Sequence, residues 1–108
     1  MQRGEVWTVA GDRDFAGKPR PVVIVQDNLF AGLNSIAVCL LTSETTETFA
    51  VRPLVEPTDN NGLGAPSQVM IDKITAVSRA KLGARLGRLS DQDMLRINRA
   101  LVVFLGLG

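Results

Sequence analysis

Short blocks of β-branched and aliphatic residues, separated by polar segments rich in turn formers, occupy most of this chain. The blocks at residues 5–10, 21–26 and 35–42 have the composition of strands, and the last two are apolar enough to predict burial on both faces. Residues 48–55 alternate imperfectly and include a proline, which predicts an edge strand that ends early. A further strand is predicted at residues 68–74.

The pattern changes to a helical one near the end of the chain. Ser90 is followed three positions later by Asp93, which approximates a capping box, and Gly106 supplies a stop signal. Between them one apolar stripe recurs at helical spacing, formed by Met94, Ile97, Leu101 and Phe104/Leu105. The stripe predicts a helix of about four turns that packs on the sheet.

Several short strands followed by one terminal helix predict a mainly β fold with a C-terminal α-helix. The most economical arrangement is a small, strongly curled antiparallel barrel. With 108 residues the chain is long enough for one modest core, so we expect a single domain that spans residues 1–108.

The residue inventory excludes most catalytic chemistries. The chain has no histidine and one cysteine, Cys39, so a Cys/His pair, a Ser-His-Asp triad and a histidine-bearing zinc site are impossible. Neither of the glycine-rich motifs that bind nucleotide phosphates, GxxxxGK[ST] and GxGxxG, is present, because Gly62 and Gly64 lack the other residues of both. An enzyme with this sequence would work with Arg, Lys, Asp, Glu, Ser and Thr, a set suited to stabilising phosphoryl charge. We therefore expect no metal and no cofactor.

Charge is unevenly distributed along a chain whose formal net charge is +1. Residues 31–60 carry one basic and four acidic side chains, whereas residues 79–99 carry six basic and two acidic ones. The basic segment is either a solvated face or a patch for a polyanion or an acidic peptide. The longest apolar run, residues 36–41, is too short to cross a membrane, and the chain opens without an apolar signal segment. These features predict a cytoplasmic protein with no membrane partner.

Three side chains are candidates for phosphate chemistry. Arg20 opens the second predicted strand, and the following Pro21 biases it toward an extended backbone at the mouth of a loop. Thr42 ends the third predicted strand, where a hydroxyl can donate to a phosphate oxygen beside an arginine. Asp72 interrupts an apolar strand; it either faces outward beside Lys73, or serves as a site acid or as the partner of an arginine. Each of the three residues could instead have a purely structural role at the surface or at a strand end.

Five stretches of the chain, in order, resemble the MazF/PemK family of toxin–antitoxin ribonucleases. No stretch is specific by itself, but their order and spacing in a chain of this length make a strong match. They are RGEVW at residues 3–7, like the family's first strand; GKPRPVVIV at 17–25, like its loop and second strand; LLTS at 40–43, like its strand ending in Thr-Ser; VMIDKITAV at 69–77, like its aliphatic–acidic strand; and GRLSDQDM at 87–94, like the start of its closing helix.

This resemblance implies both a fold and an activity. The implied fold is a small SH3-like barrel of the CcdB/MazF type, which forms a homodimer with a concave groove for RNA. The implied activity is metal-independent, sequence-selective cleavage of single-stranded RNA, in which the 2′-hydroxyl attacks the adjacent phosphate and leaves a 2′,3′-cyclic phosphate and a 5′-hydroxyl. The implied partner is a cognate antitoxin whose acidic, disordered C-terminal tail covers the groove.

The resemblance also implies roles for particular residues. The family's catalytic arginine and threonine correspond to Arg20 and Thr42, and an acidic residue used by some members corresponds to Asp72. Base preference would come from the loops at residues 11–19 and 44–48, where an aromatic side chain can stack on an unpaired base. We expect RNA contacts from Asp14, Phe15, Lys18, Ser43 and Thr45.

The chain departs from the family pattern in places. Residues 12–16 replace a Ser-Glu-Gln stretch of many members, the loop histidine of some members is missing, and Met70 stands where others have an arginine. The sequence therefore leaves open which side chains contact the RNA. Two other functions also remain open: a CcdB-type toxin that binds DNA gyrase and hydrolyses nothing, and a catalytically inactive barrel that serves as a binding module.

Overall fold

The structure is a computed structural model that describes residues 1–10, 19–47 and 51–108. Within these ranges the sheet is antiparallel, with the spatial order β4-β5-β3-β2-β1-β6. The strands are β1 Glu5–Val9, β2 Arg20–Ile24, β3 Ser35–Thr42, β4 Leu54–Val55, β5 Ser67–Ser78 and β6 Leu82–Arg88; the helix is α1 Asp91–Leu105. Single 3₁₀ turns lie at Asn28–Phe30 and Arg79–Lys81. The fold is mainly β with a C-terminal helix, as the sequence predicts.

The central strands are buried on both faces, which is what their continuous apolar runs predict. On β2, Val23 belongs to a cluster that includes Met94 and Ile97 of α1, whereas Val22 and Ile24 belong to a second cluster on the opposite face. Because successive residues of a strand point to opposite faces, one run of β-branched residues supplies both clusters. The middle of the sheet is thereby held rigidly between two cores.

A bulge bends β5 in its middle. Its pairing with β3 moves from Cys39 opposite Ile74 to Leu40 opposite Met70, so residues 71–73 have no paired residue on β3. Extra residues on one strand of a pair increase its local twist and redirect its side chains. On either side of the bulge β5 stays paired with β3, its first residues also pair with β4, and Asp72 within the bulge is exposed.

Helix α1 begins and ends at the predicted signals. The Ser90 side chain accepts a hydrogen bond from the Asp93 backbone N–H at 3.1 Å, and Gly106 adopts the left-handed conformation with φ 71°. Burial is confined to the first part of the helix. The prediction that Phe104/Leu105 pack on the sheet is wrong, because both are more than two-fifths exposed and the buried stripe ends at Ala100, with Leu101 half-buried.

The strand boundaries differ from the sequence prediction by one or two residues at β1 and β2, and by more in three other places. Strand β6 was not predicted; β5 continues to Ser78 because its second half pairs with β3; and the predicted edge strand is reduced to β4, which does lie at one end of the sheet. Residues 48–50 of that predicted strand lie outside the described residues. No helix in the described ranges is long and apolar enough to cross a membrane.

Candidate active site

Arg20 and Thr42 lie at the same end of two neighbouring strands. Strand β2 pairs with β3 through Val22 opposite Leu40, and continuing this antiparallel register by two residues sets Arg20 opposite Thr42. Arg20 is also paired with Val9 of β1, so its backbone is held from the other side. The exposed Arg20 therefore starts from a backbone that is paired with β1.

A cleft of about 450 Å³ opens at this end of the sheet. Its polar lining includes Arg20 and Thr42, together with Ser43, Arg52 and Lys73. A second cleft, of about 360 Å³, is also lined by Arg20, Thr42 and Ser43. Arg20 and Thr42, two of the three candidates from the sequence, thus line both clefts.

The larger surroundings of the cleft are basic. A shallow groove of about 740 Å³ runs along the second half of β5, and it shares Leu40 and Lys73 with the cleft. Lys81 lines its far end. This groove is larger than the cleft, but Arg20 and Thr42 line the cleft and not the groove.

The hydroxyl of Thr42 is oriented by the turn that follows β3. Its Oγ1 accepts a hydrogen bond from the Glu44 backbone N–H at 3.1 Å. The turn is fixed in its own right, because the Gln68 side chain donates to the Thr46 carbonyl and accepts from the Thr46 N–H, both at 2.8 Å. Since the Thr42 oxygen accepts from the backbone, its proton is free to donate to a ligand.

Asp72 is held in a two-point ion pair with Arg52. The guanidinium donates from Nε to Oδ1 at 3.0 Å and from Nη2 to Oδ2 at 2.9 Å. These hydrogen bonds hold the pKa of the Asp72 carboxyl below its ordinary value, although partial burial acts the other way. Arg52 lines the cleft, whereas Asp72 is not part of its lining. Asp72 thus faces outward and is the partner of an arginine, and its role as a site acid stays a prediction.

The structure locates two of the five predicted RNA-contacting residues, and their contacts with RNA stay predictions. Ser43 lines both clefts, whereas Thr45 is exposed and outside the cleft lining, where Thr46 is found instead. Asp14, Phe15 and Lys18 lie outside the described residues. Among the described residues, no group of three or more His, Cys, Asp or Glu side chains is placed to hold a metal ion.

Sequence reasoning missed Arg52. The signal that identified Arg20 was also present for Arg52, because each arginine directly precedes a proline. Arg52 was hidden because it is the one basic residue in an acidic stretch and because its partner is distant in sequence.

Comparison with known proteins places this architecture in a family. The sequence model of the PemK-like, MazF-like toxins of type II toxin–antitoxin systems matches residues 2–105. The chain belongs to this family. A relative from Mycolicibacterium smegmatis (strain ATCC 700084 / mc(2)155), a probable endoribonuclease MazF, is 45% identical over 107 residues, which cover 99% of this chain and 98% of that protein. The predicted family and function, a MazF-type toxin endoribonuclease, are confirmed.

Solved structures agree with this membership. A mycobacterial endoribonuclease in complex with its cognate antitoxin superposes with a TM-score of 0.82 at 28% identity, covering 100% of this chain and 97% of that one. MazF in a MazE–MazF complex from Deinococcus radiodurans shares the fold, with a TM-score of 0.78 at 15% identity, covering 100% and 98% of the two chains. The predicted MazF-type barrel fold is confirmed.

Proposed function

We propose that the cleft at Arg20 and Thr42 is where this MazF-type toxin cleaves single-stranded RNA without a metal. The single observation that carries the proposal is the cross-strand placement of an exposed arginine and a backbone-oriented threonine hydroxyl at the mouth of one cleft. In the proposed reaction the 2′-oxygen forms a bond to the adjacent phosphorus and loses its proton. The bond from phosphorus to the 5′-oxygen breaks, and that oxygen gains a proton. The products are a 2′,3′-cyclic phosphate and a 5′-hydroxyl.

Arg20 acts in this scheme by stabilising charge. Attack of the 2′-oxygen concentrates negative charge on the non-bridging phosphate oxygens, and a guanidinium can give them two parallel charge-assisted hydrogen bonds. An arginine stays protonated far above neutral pH, so it is a poor proton acceptor. Thr42 adds a neutral donor from the neighbouring strand. The strands hold both groups in advance, which lowers the reorganisation needed at the moment of reaction.

The geometry of the reaction selects single-stranded RNA. In-line attack needs a nucleotide that is free to turn out of a helical stack, and unstacked bases also present their edges to the protein. The nucleophile is the 2′-hydroxyl, so DNA of the same sequence should not be cut. The turn after β3, at Ser43 and Thr45, and the loop at residues 11–19 are the segments we propose for base contacts.

Two partners belong to the proposal. A mycobacterial relative of this fold was solved with its cognate antitoxin, and the basic cleft and groove suit the acidic tail that we expect in such an antitoxin. We also propose a homodimer, supported by the exposed apolar end of α1 and the segment that follows it, where Val103 is 66% and Leu107 73% exposed. A cytoplasmic location is part of the same proposal.

The test is cleavage of RNA and of DNA with the same sequence, in EDTA. We expect new 5′-hydroxyl ends on RNA alone, a loss of at least about a hundredfold in Arg20→Ala, and about a tenfold loss in Thr42→Val, which removes one neutral donor. Arg99→Ala, on the exposed face of α1, is the matched control and should retain full activity. Intact RNA together with arrested gyrase would favour a CcdB-type toxin; intact RNA without it would favour an inactive binding module.

A further inference from the structure

Arg52, the second arginine that lines the cleft, has its guanidinium held in place by hydrogen bonds. Arg52 uses Nε and one hydrogen of Nη2 to bind Asp72, which leaves three of its five N–H donors on the opposite edge of the guanidinium. Its side chain is 18% exposed and that of Asp72 31%, so the pair is partly shielded from water. A bidentate pair of this kind fixes the plane of the guanidinium as well as its position.

The backbone around this pair is clamped on both sides of Arg52. The Ile71 N–H donates to the Val51 carbonyl at 2.9 Å, and the Val69 N–H donates to the Pro53 carbonyl at 3.0 Å. These bonds join the segment before β4 to the bent half of β5. The bulge at residues 71–73 then turns Asp72 toward Arg52. Two segments distant in sequence are thus built to present one guanidinium to the cleft.

Asp72 is poorly suited to accept the proton of the 2′-hydroxyl. Both of its carboxylate oxygens already accept hydrogen bonds from Arg52, and it is not part of the cleft lining. A carboxylate stabilised in its charged form is also a weaker base than a free one. Its geometry is that of a positioning residue, which acts through the arginine that it holds.

We propose that Arg52, oriented by Asp72, is a second arginine that stabilises the transition state of the reacting phosphate together with Arg20. This inference rests on the proposed function of the cleft. The charge that develops on the phosphorane is shared among several oxygens, so two cationic donors on different walls of one cleft can each hydrogen-bond to it. Arg20 and Arg52 line the same 450 Å³ cleft, from β2 and from the segment before β4.

The experiment measures kcat and KM for a short RNA that contains one cleavage site mapped with the wild-type toxin. We expect Arg52→Ala to lower kcat about a hundredfold with little change in KM, because the lost interaction forms in the transition state. Arg52→Lys should recover only part of that loss, since an ammonium cannot pair with a carboxylate at two points. Arg99→Ala is the control, because Arg99 is an exposed arginine of α1 that does not line the cleft.

A double-mutant cycle separates a positioning role of Asp72 from a catalytic one. We expect Asp72→Asn to lower kcat about tenfold in the wild type and to have no further effect in the Arg52→Ala background. An equal loss in both backgrounds, together with a change in the acidic limb of the pH–rate profile, would make Asp72 the proton acceptor and overturn the proposal. Thermal unfolding of every variant identifies any loss that comes from misfolding.

The outcomes for the two proposals are distinct. If the wild type does not cut RNA, or if Arg20→Ala is fully active, the proposed function of the cleft is wrong. If the wild type cuts and Arg20→Ala does not, while Arg52→Ala keeps wild-type kcat, the cleft is correctly assigned and the role of Arg52 is wrong. A rise in KM at unchanged kcat would equally overturn it, because the contact would then be made in the ground state.

Discussion

Glu5 provides the sharpest test of the physical reasoning behind this fold. Its carboxylate joins β1 to β6: Oε2 accepts from Arg85 Nε at 2.7 Å, and Oε1 accepts from the Gln2 N–H at 2.7 Å and from Trp7 Nε1 at 3.1 Å. The side chain is 11% exposed. Burial by itself would raise the pKa of Glu5, but the hydrogen bonds from Gln2, Arg85 and Trp7 together outweigh it and lower the pKa from 4.5 to about 2.

The lowered pKa has a definite consequence for stability. Because the unfolded chain binds this proton more tightly than the folded one, the contribution of Glu5 is complete above pH 5 and is lost as the pH falls toward 2. A pKa that falls from 4.5 to about 2 corresponds to about 3 kcal/mol of unfolding free energy at neutral pH. At pH 3 the same relation leaves about 1.4 kcal/mol.

The perturbation that isolates this contribution is Glu5→Gln, which keeps the shape of the side chain and removes its charge. We expect it to lower the free energy of unfolding by about 3 kcal/mol at pH 6 and by about half of that at pH 3. The assay is urea denaturation of both proteins across this pH range, at one fixed protomer concentration because the proposed dimer makes stability concentration-dependent. Glu56→Gln, at an exposed position, is the control and should show a difference near zero throughout.

A pH-independent difference between Glu5→Gln and the wild type would refute this account. In that case the substitution would act through packing or through loss of an acceptor geometry, which do not depend on the charge of the carboxylate. A difference that grows as the pH falls would also refute it, because it would require the folded state to bind the proton more tightly than the unfolded state.

Two further predictions concern the backbone and the association of the chain. Gly62→Ala should lower the free energy of unfolding by more than about 2 kcal/mol, because φ is 69° there and the new Cβ would overlap the Leu86 carbonyl. Gly64→Ala is the control, because its Cβ would meet no atom within 4 Å, and it should change the free energy of unfolding by less than about 0.5 kcal/mol. Urea denaturation measures both. Val103→Asp should weaken the homodimer at least about tenfold in sedimentation equilibrium, by burying a charge. Gln92→Asp, on the exposed first turn of α1, is its control; equal dissociation constants would place the interface elsewhere.

The parts of the fold that the sequence predicted are those in which burial sets the pattern. Strand β3 was predicted with its observed bounds, because both of its faces contribute to cores and its residues are continuously apolar. Helix α1 was predicted because a hydroxyl cap and a left-handed glycine mark its two ends. In β3 and α1 the structure favoured by the local sequence is also the one favoured by tertiary packing, so the sequence alone is sufficient to predict them.

Strand β6 was missed because its local sequence carries no strand signal. Only Leu82 and Gly87 are buried in a strand that contains two glycines and two arginines. It is held by partners elsewhere in the chain: Arg85 binds Glu5, and the Arg88 N–H donates to the Asn60 carbonyl at 2.7 Å. An edge strand stabilised by such contacts cannot be recognised from hydrophobic periodicity.

The sequence identified Arg20 and Thr42 but not Arg52, and the difference again lies in whether local pattern or distant contacts place the residue. Arg20 and Thr42 lie at the ends of two strands that are adjacent in the chain, so pairing two predicted strands brings them together. Arg52 reaches the cleft only through the bulge in β5, which aligns Asp72 with a segment twenty residues earlier. No periodicity predicts the position of a bulge. A search for arginines that precede a proline would have proposed Arg52, but only the ion pair with Asp72 explains how its guanidinium is held at the cleft.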